Sequence, residues 1–232
     1  MFYVKISFFL FKLRFLIERI KSNKLKKRIK KFDNNELINF KKLIKEKNFT
    51  TYWFLNNLKL FSFFFPKNKK EVFNYLEIGS FEGMSALYVA DKFKLSNIVC
   101  VDTWSNSSKE SQILNFDFNG IEKNFDNNLS SYNFIKIKDT STKAFENNLE
   151  LRSLYDYIYI DGSHDGEDIY FDATNCFKIL KKNGVMIFDD ISSINKSITL
   201  QPFKAFEKFY EENYKHIKIL YLKRLAIIRK IT

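Results

Sequence analysis

The sequence predicts an α/β fold: a mostly parallel sheet finished by an antiparallel C-terminal hairpin and preceded by an N-terminal helical extension. Three observations carry that expectation. From residue 71 onward, short apolar runs alternate with stretches of helical periodicity, as they do when helices cross over between parallel strands. Four of the runs lead into Gly79, Asp102, Asp161 and the pair Asp189-Asp190, residue types suited to the ligand-facing ends of such strands. Residues 216–231 carry apolar runs on either side of Lys223-Arg224, which reads as a terminal antiparallel pair. That ending is uncommon among plain dinucleotide-binding folds.

The strands follow in order. Residues 72–78, 97–101, 134–138, 155–160 and 184–188 are the apolar runs, and the third alternates in polarity as an edge-side strand does. Near-continuous apolar strands are buried on both faces by helices. Residues 166–182 form the helix before the fifth strand, with Ile169, Ala173, Cys176, Phe177 and Leu180 at helical spacing. Asn183-Gly184 is expected to stop it, Gly184 taking the left-handed conformation. Residues 202–214 form another helix with Phe203, Phe206 and Tyr210 on one face.

Upstream, residues 1–32 read as a basic helical arm and residues 33–65 as further helix with an aromatic cluster. Pro66 and the lysines of 67–70 make a polar break. The expected organisation is therefore an extension over residues 1–70 and a domain over residues 71–232. A chain of 232 residues, 45% of them hydrophobic, has room for one such domain and its core.

Charge placement excludes one class of partner. The net charge is +12, yet residues 1–45 carry +11 of it and the remainder is nearly neutral. A fold that grips nucleic acid spreads Lys and Arg over its binding face, so no nucleic acid partner is expected. Lys5, Lys12 and Arg14 interrupt the apolar stretch at 2–17, which argues against a spanning helix or a cleavable signal. Residues 1–32 are a candidate for peripheral membrane contact; the alternative is packing on the domain with the lysines in water. Cys100 and Cys176 lack metal-type spacing and are expected as buried, reduced thiols. A reducing, cytoplasmic location fits them, peripheral at the inner membrane surface if the arm binds lipid.

The segment 75–85, Tyr-Leu-Glu-Ile-Gly-Ser-Phe-Glu-Gly-Met-Ser, delivers a carboxylate, Glu77, and then a tight turn into a helix. Gly79 permits the sharp bend and Gly83 a close approach. It is neither G-x-G-x-x-G nor a P-loop. Asp102 closes the next strand, where a nucleoside-binding α/β protein needs an acceptor for ribose hydroxyls. The alternative is an Asp that caps a turn.

With these residues in view, the sequence resembles class I S-adenosylmethionine-dependent methyltransferases, and more narrowly methyltransferase family 24. The matching segments are 76–85, 101–104 (Val-Asp-Thr-Trp), 159–164 (Tyr-Ile-Asp-Gly-Ser-His) and 185–190 (Val-Met-Ile-Phe-Asp-Asp), in the family's order. The resemblance implies the Rossmann-like sheet of that class, in which a late strand is inserted antiparallel. It implies S-adenosylmethionine as cofactor, with Glu77, Gly79, Ser80 and Gly83 around its methionine part and Asp102 on the ribose. Trp104 would lie near the adenosine and Asp139 would meet the adenine amino group, although Lys138 stands where the family usually has glycine.

Asp161, His164, Asp189 and Asp190 form a second cluster, at the ends of strands expected to be neighbours. Three converging carboxylates repel unless a cation, a proton or hydrogen bonds compensate. Oxygen ligands suit Mg2+, and some related sugar and antibiotic O-methyltransferases bind it with equivalent carboxylates. By that resemblance Asp161, Asp189 and Asp190 are candidate ligands. The rival reading has them capping turns with no ion. His164 and Asp161 are both candidate general bases, since imidazole titrates near neutrality.

The aromatic segment at 50–57 is expected to pack on the sheet, with a stacking wall for a planar acceptor as the alternative. The function expected is methylation of a small-molecule or saccharide hydroxyl. The alternatives are a nicotinamide-dependent oxidoreductase on a similar sheet and a non-catalytic, basic-armed binding protein.

Overall fold

The computed structural model describes residues 2–30, 35–105, 117–192 and 200–232, with side chains from residue 13 onward. The end of the basic arm, residues 31–32, and the start of the next segment lie outside the described residues. The extension contributes α1 (Phe2–Lys30), α2 (Asn35–Leu43) and α3 (Leu58–Phe64). The domain runs β1 (Asn74–Ile78), α4 (Met84–Lys92), β2 (Asn97–Asp102), α5 (Phe118–Leu129), β3 (Ile135–Lys138) and α6 (Ser141–Asn147). It continues with β4 (Tyr155–Ile160), α7 (Gly166–Ile179), β5 (Leu180–Phe188), α8 (Pro202–Asn213), β6 (Ile217–Leu222) and β7 (Ala226–Lys230).

The strands form one sheet in the order β3-β2-β1-β4-β5-β7-β6. The first five are parallel, and β7 enters antiparallel against β5 and β6. The expected fold class is therefore the observed one. Strand order reverses between β1 and β4, which makes the carboxyl edge there the place for a ligand crevice. Because β7 runs the other way, Phe188 pairs with Ala226. The turn between β6 and β7 thus lies at that same edge.

Two apolar layers cover the sheet. On one face Tyr75, Cys100, Tyr159 and Ile187 pack with α4 and α5 and with Phe54, Leu58, Phe61 and Phe65 of the extension. On the other, Leu76, Val101, Ile158 and Phe188 pack with α7 and α8. The Phe61 ring meets Tyr159 edge-on at 4.8 Å, and Phe65 stacks on Tyr157 at 4.4 Å. Phe61 and Phe65 are core, each contributing ~2–3 kcal/mol, while the partly buried Phe63 and Phe64 pack against it. The two cysteines are free and buried, Cys100 in one layer and Cys176 in the other.

α1 crosses the β6 edge of the sheet. Phe15 enters one apolar layer and Ile29 the other, and between them the Leu222 amide donates to Ser22 Oγ at 2.8 Å. A helix laid over an edge strand protects it from pairing elsewhere. The opposite side of α1 leaves Leu13, Leu16, Ile17 and Ile20 exposed. Among the described residues no helix is long and apolar enough to cross a membrane.

One expected boundary is corrected. α7 stops at Ile179 rather than at the Asn183-Gly184 pair, because Leu180 already pairs with Tyr155 in the sheet. The register then shifts until Val185 meets Tyr157. Asn183, not Gly184, takes the left-handed conformation in that irregularity, at φ 65°.

Candidate active site

The carboxyl tips of β3, β2, β1, β4 and β5 lie side by side, and all but β2 are continued one residue past the strand by a ladder bond. Gly79 N donates to Val101 O (2.8 Å), Asp161 N to Ile78 O (2.8 Å), Asp189 N to Ile160 O (2.9 Å) and Asp139 N to Asp102 O (3.0 Å). Glu77, Asp102, Asp139, Asp161 and Asp189 therefore share one edge.

Gly79 and Gly83 both have positive φ, at 86° and 79°, a conformation that glycine adopts freely. Around this turn Asp102 works as a clamp. It accepts the Phe81 amide on one oxygen and the Trp104 amide on the other, both at 2.8 Å. Trp104 Nε1 in turn donates to the Phe81 carbonyl at 2.8 Å. The Ser80 and Thr103 amides also bond this half-buried carboxylate, so a ligand's hydroxyls would share its oxygens with backbone donors. Burial raises its pKa above the usual Asp value, ahead of the backbone bonds that lower it.

Three of the expected cofactor residues are buried. Glu77 is fully buried beneath the turn, bonded by the hydroxyl of Ser85 and by Tyr75 OH at 3.4 Å. Ser80 is 3% exposed. Trp104 is 2% exposed, its ring 4.6 Å from Phe125, so it braces the Gly79–Gly83 turn from behind. Asp139 is half-buried beside Asp102 and accepts the Thr140 amide at 2.8 Å.

Burial pushes the Glu77 carboxyl from 4.5 up to about 8. The fold thus holds a proton that the unfolded chain has released across that window. Stability is highest below pH 4.5 on this account and declines as pH rises toward 8, by a few kcal/mol (~1.4 per pKa unit). Glu77→Gln should remove that slope, and thermal melts of both proteins from pH 5 to 9 measure it. Parallel curves would reject the buried proton.

The second cluster is compensated differently from the metal expectation. Arg224, from the β6–β7 turn, bonds Asp189 Oδ1 at 2.8 Å and also Asp190, while its other terminal nitrogen reaches the Asn57 side-chain oxygen. Asn57 Nδ2 donates to Asp189 Oδ2 at 2.6 Å. A guanidinium thus supplies the positive charge that compensates Asp189 and Asp190. Among the described residues no three His, Cys, Asp or Glu side chains are arranged to hold a metal. The expected Mg2+ set of Asp161, Asp189 and Asp190 does not fit this arrangement.

The Tyr159 hydroxyl lies 2.8 Å from Asp161 Oδ2 and 2.5 Å from Asp189 Oδ2. One hydroxyl proton serves one of them only. A protonated Asp161 that donates to Tyr159, which donates to Asp189, satisfies all three. Burial first, and then the Asp189 charge, hold the Asp161 pKa well above the usual range, in agreement with that chain. His164 Nε2 stands 3.9 Å from Asp190 Oδ2.

The aromatic segment is only partly core. Phe54 is buried, whereas Trp53 is 58% exposed and stacks on Phe81 at 5.6 Å. The segment is pinned over the glycine turn by the Thr50 amide on Glu82 (2.7 Å) and by Asn128, which accepts the Asn48 amide at 2.8 Å. Asn57, Arg224 and Tyr159 were not singled out from sequence. A signal for Arg224 existed: a cation in a hairpin turn whose antiparallel register brings it to the carboxyl edge.

Comparison with known proteins agrees with this architecture. A family model described as a methyltransferase domain, family 24, matches residues 76–191, half of the chain. The curated protein "Uncharacterized protein R132" of Acanthamoeba polyphaga mimivirus is 26% identical over 134 residues, and the match spans 58% of each protein. Among solved structures, a Staphylococcus aureus protein described as a caffeoyl-CoA O-methyltransferase aligns with TM-score 0.51 at 16% identity, over 91% of this chain and 99% of that one. MycE methyltransferase of the mycinamycin biosynthetic pathway, in complex with Mg and SAH, aligns with TM-score 0.55 at 12% identity, over 83% and 54%. At these identities the two structures speak to the fold.

Proposed function

This chain belongs to methyltransferase family 24, and from that premise we propose that it transfers a methyl group from S-adenosylmethionine to a hydroxyl of a small molecule or saccharide. The observation that carries the reading is Asp102 beside the Gly79–Gly83 turn at the tips of adjacent strands. The residues fit such a cofactor. Asp102 presents a half-buried carboxylate to ribose hydroxyls, Asp139 adjoins it, and the exposed Trp53 on Phe81 offers a planar wall at the rim of the turn.

When bound, the cofactor supplies a methyl on a positive sulfonium, open to in-line attack by oxygen. The chain contributes position and proton removal. Pre-bonding of Asp102 by two backbone amides fixes its carboxylate before ligand arrives, which limits the cost of ordering it. His164 accepts the acceptor hydroxyl's proton, and Asp190 beside it stabilises the imidazolium formed. The Asp161–Tyr159–Asp189 chain, with Arg224 and Asn57 behind it, holds the floor next to His164.

Calorimetry with S-adenosylhomocysteine tests the cofactor assignment. Asp102→Ala should weaken binding about 100-fold, as expected for loss of charge-assisted hydrogen bonds. Equal affinity in wild type and variant would remove the ribose role, and an absence of binding to wild type would remove the reading itself. Nicotinamide dinucleotide in the same titration covers the oxidoreductase alternative.

A further inference from the structure

A cavity of about 680 Å3 lies between α1, α3 and the β6–β7 turn, within the size range of small-molecule sites. Its wall includes six cationic side chains, Arg19, Lys26, Lys30, Lys59, Lys223 and Arg224, and, among the described residues, no Asp or Glu. Arg19, Lys26 and Lys30 are spaced seven and four residues apart, which puts them on one flank of α1. That flank adjoins the seam held by Ser22 and Ile29, so the anchoring of α1 on β6 places Lys26 and Lys30 beside the turn, while the Arg19 guanidinium lies 4.8 Å over the Phe203 ring at the cavity's far end. Among the described residues, Arg224 alone of the six forms an ion pair, with Asp189 and Asp190.

Like charges gathered around a cavity repel, and an anion inside relieves all of them together. Arg224 joins this cavity to the carboxylate cluster. Its guanidinium has five N–H donors; three go to Asp189, Asp190 and Asn57, which leaves two. Asn57 lines the cavity and also bonds Asp189. A group held here is therefore one side chain away from the proposed reaction centre.

We infer that this cavity binds a phosphate or diphosphate group carried by the methyl acceptor, so that the acceptor's hydroxyl is directed across Arg224 and Asn57 toward His164. The inference names the acceptor class and rests on the methyltransferase reading, while the anion site itself does not. Soluble phosphorylated saccharides and phosphorylated lipid headgroups share the chemistry, and the test separates them.

The full chain is titrated by calorimetry with inorganic pyrophosphate and, separately, with S-adenosylhomocysteine; the double variant Lys26→Ala/Lys223→Ala is treated alike. Both lysines are surface groups of the cavity wall, so folding is retained, and a Lys143→Ala variant on α6 controls for general charge. The expected result is pyrophosphate binding weakened at least tenfold in the double variant and within twofold of wild type in the control, with S-adenosylhomocysteine affinity unchanged. Absent pyrophosphate binding, or binding indifferent to the two lysines, overturns the site even where the cofactor analogue binds. Lysine-dependent pyrophosphate binding without S-adenosylhomocysteine binding would keep the anion site and sink its role for a methyl acceptor. Phosphatidylglycerol vesicles form the last arm. Displacement of pyrophosphate by vesicles, lost in the double variant, assigns a lipid headgroup; no displacement assigns a soluble phosphate ester.

Discussion

Gly79→Ala should destabilise the protein by roughly 3–5 kcal/mol and abolish cofactor binding. A Cβ at Gly79 would stand 2.2 Å from the Asp161 carbonyl oxygen and 2.5 Å from Gly162 Cα, both backbone atoms of the neighbouring strand tip. Neither can yield without opening the β1–β4 edge, where Asp161 N also bonds Ile78 O. The residue's φ of 86° adds a conformational penalty for any L side chain. For a chain of this size the loss corresponds to a melting temperature lower by about 10 °C or more. Gly162→Ala is the matched control. Its Cβ would meet nothing nearer than Ile78 Cγ2, at 3.5 Å, an ordinary contact, so it should melt within about 2 °C of wild type. Similar melting points for the two variants would mean that the strand tips are not pressed together as described.

Arg224→Ala is the second large effect. Its removal leaves Asp189, whose side chain is 5% exposed, without its cation and next to two further carboxyls. Removing one partner of a fully buried pair costs ~3–5 kcal/mol. Arg224 is itself 42% exposed, so water offsets part of the loss, and about 2 kcal/mol is expected by denaturant unfolding. The variant also carries a sharper signature. With the guanidinium gone, the carboxylates become available to a divalent ion, and Mg2+ should raise the variant's melting temperature while leaving wild type unchanged. Turnover of the wild type should persist in chelator. Loss of activity in chelator with recovery on added Mg2+ would show that an ion displaces Arg224, and the compensation argued above would be wrong.

Much of the fold was readable from sequence because strand burial and crossover connections leave local marks. The run at 155–160 matches β4, and the third run, alternating in polarity, becomes the edge strand β3. The end of α7 lies a few residues before the stop its sequence suggests. Asn183-Gly184 is a locally plausible helix stop, but pairing of Leu180 with Tyr155 claims the backbone first.

The candidate site divides along the same line. By itself the sequence determined the α/β class, the Gly79–Gly83 turn, the acidic strand ends and their order along the chain, since each depends on residues near one another. Only the tertiary structure decided which charges meet. Arg224 neutralises Asp189 from 35 residues away because β7 runs antiparallel and returns the hairpin turn to the carboxyl edge. Asn57 arrives from the extension, and Glu77 and Trp104 are buried beneath the turn. The physical reason is that backbone pattern is encoded over a few residues, whereas charge compensation and burial depend on register between distant strands. A sequence pattern shows a carboxylate; only packing shows what neutralises it.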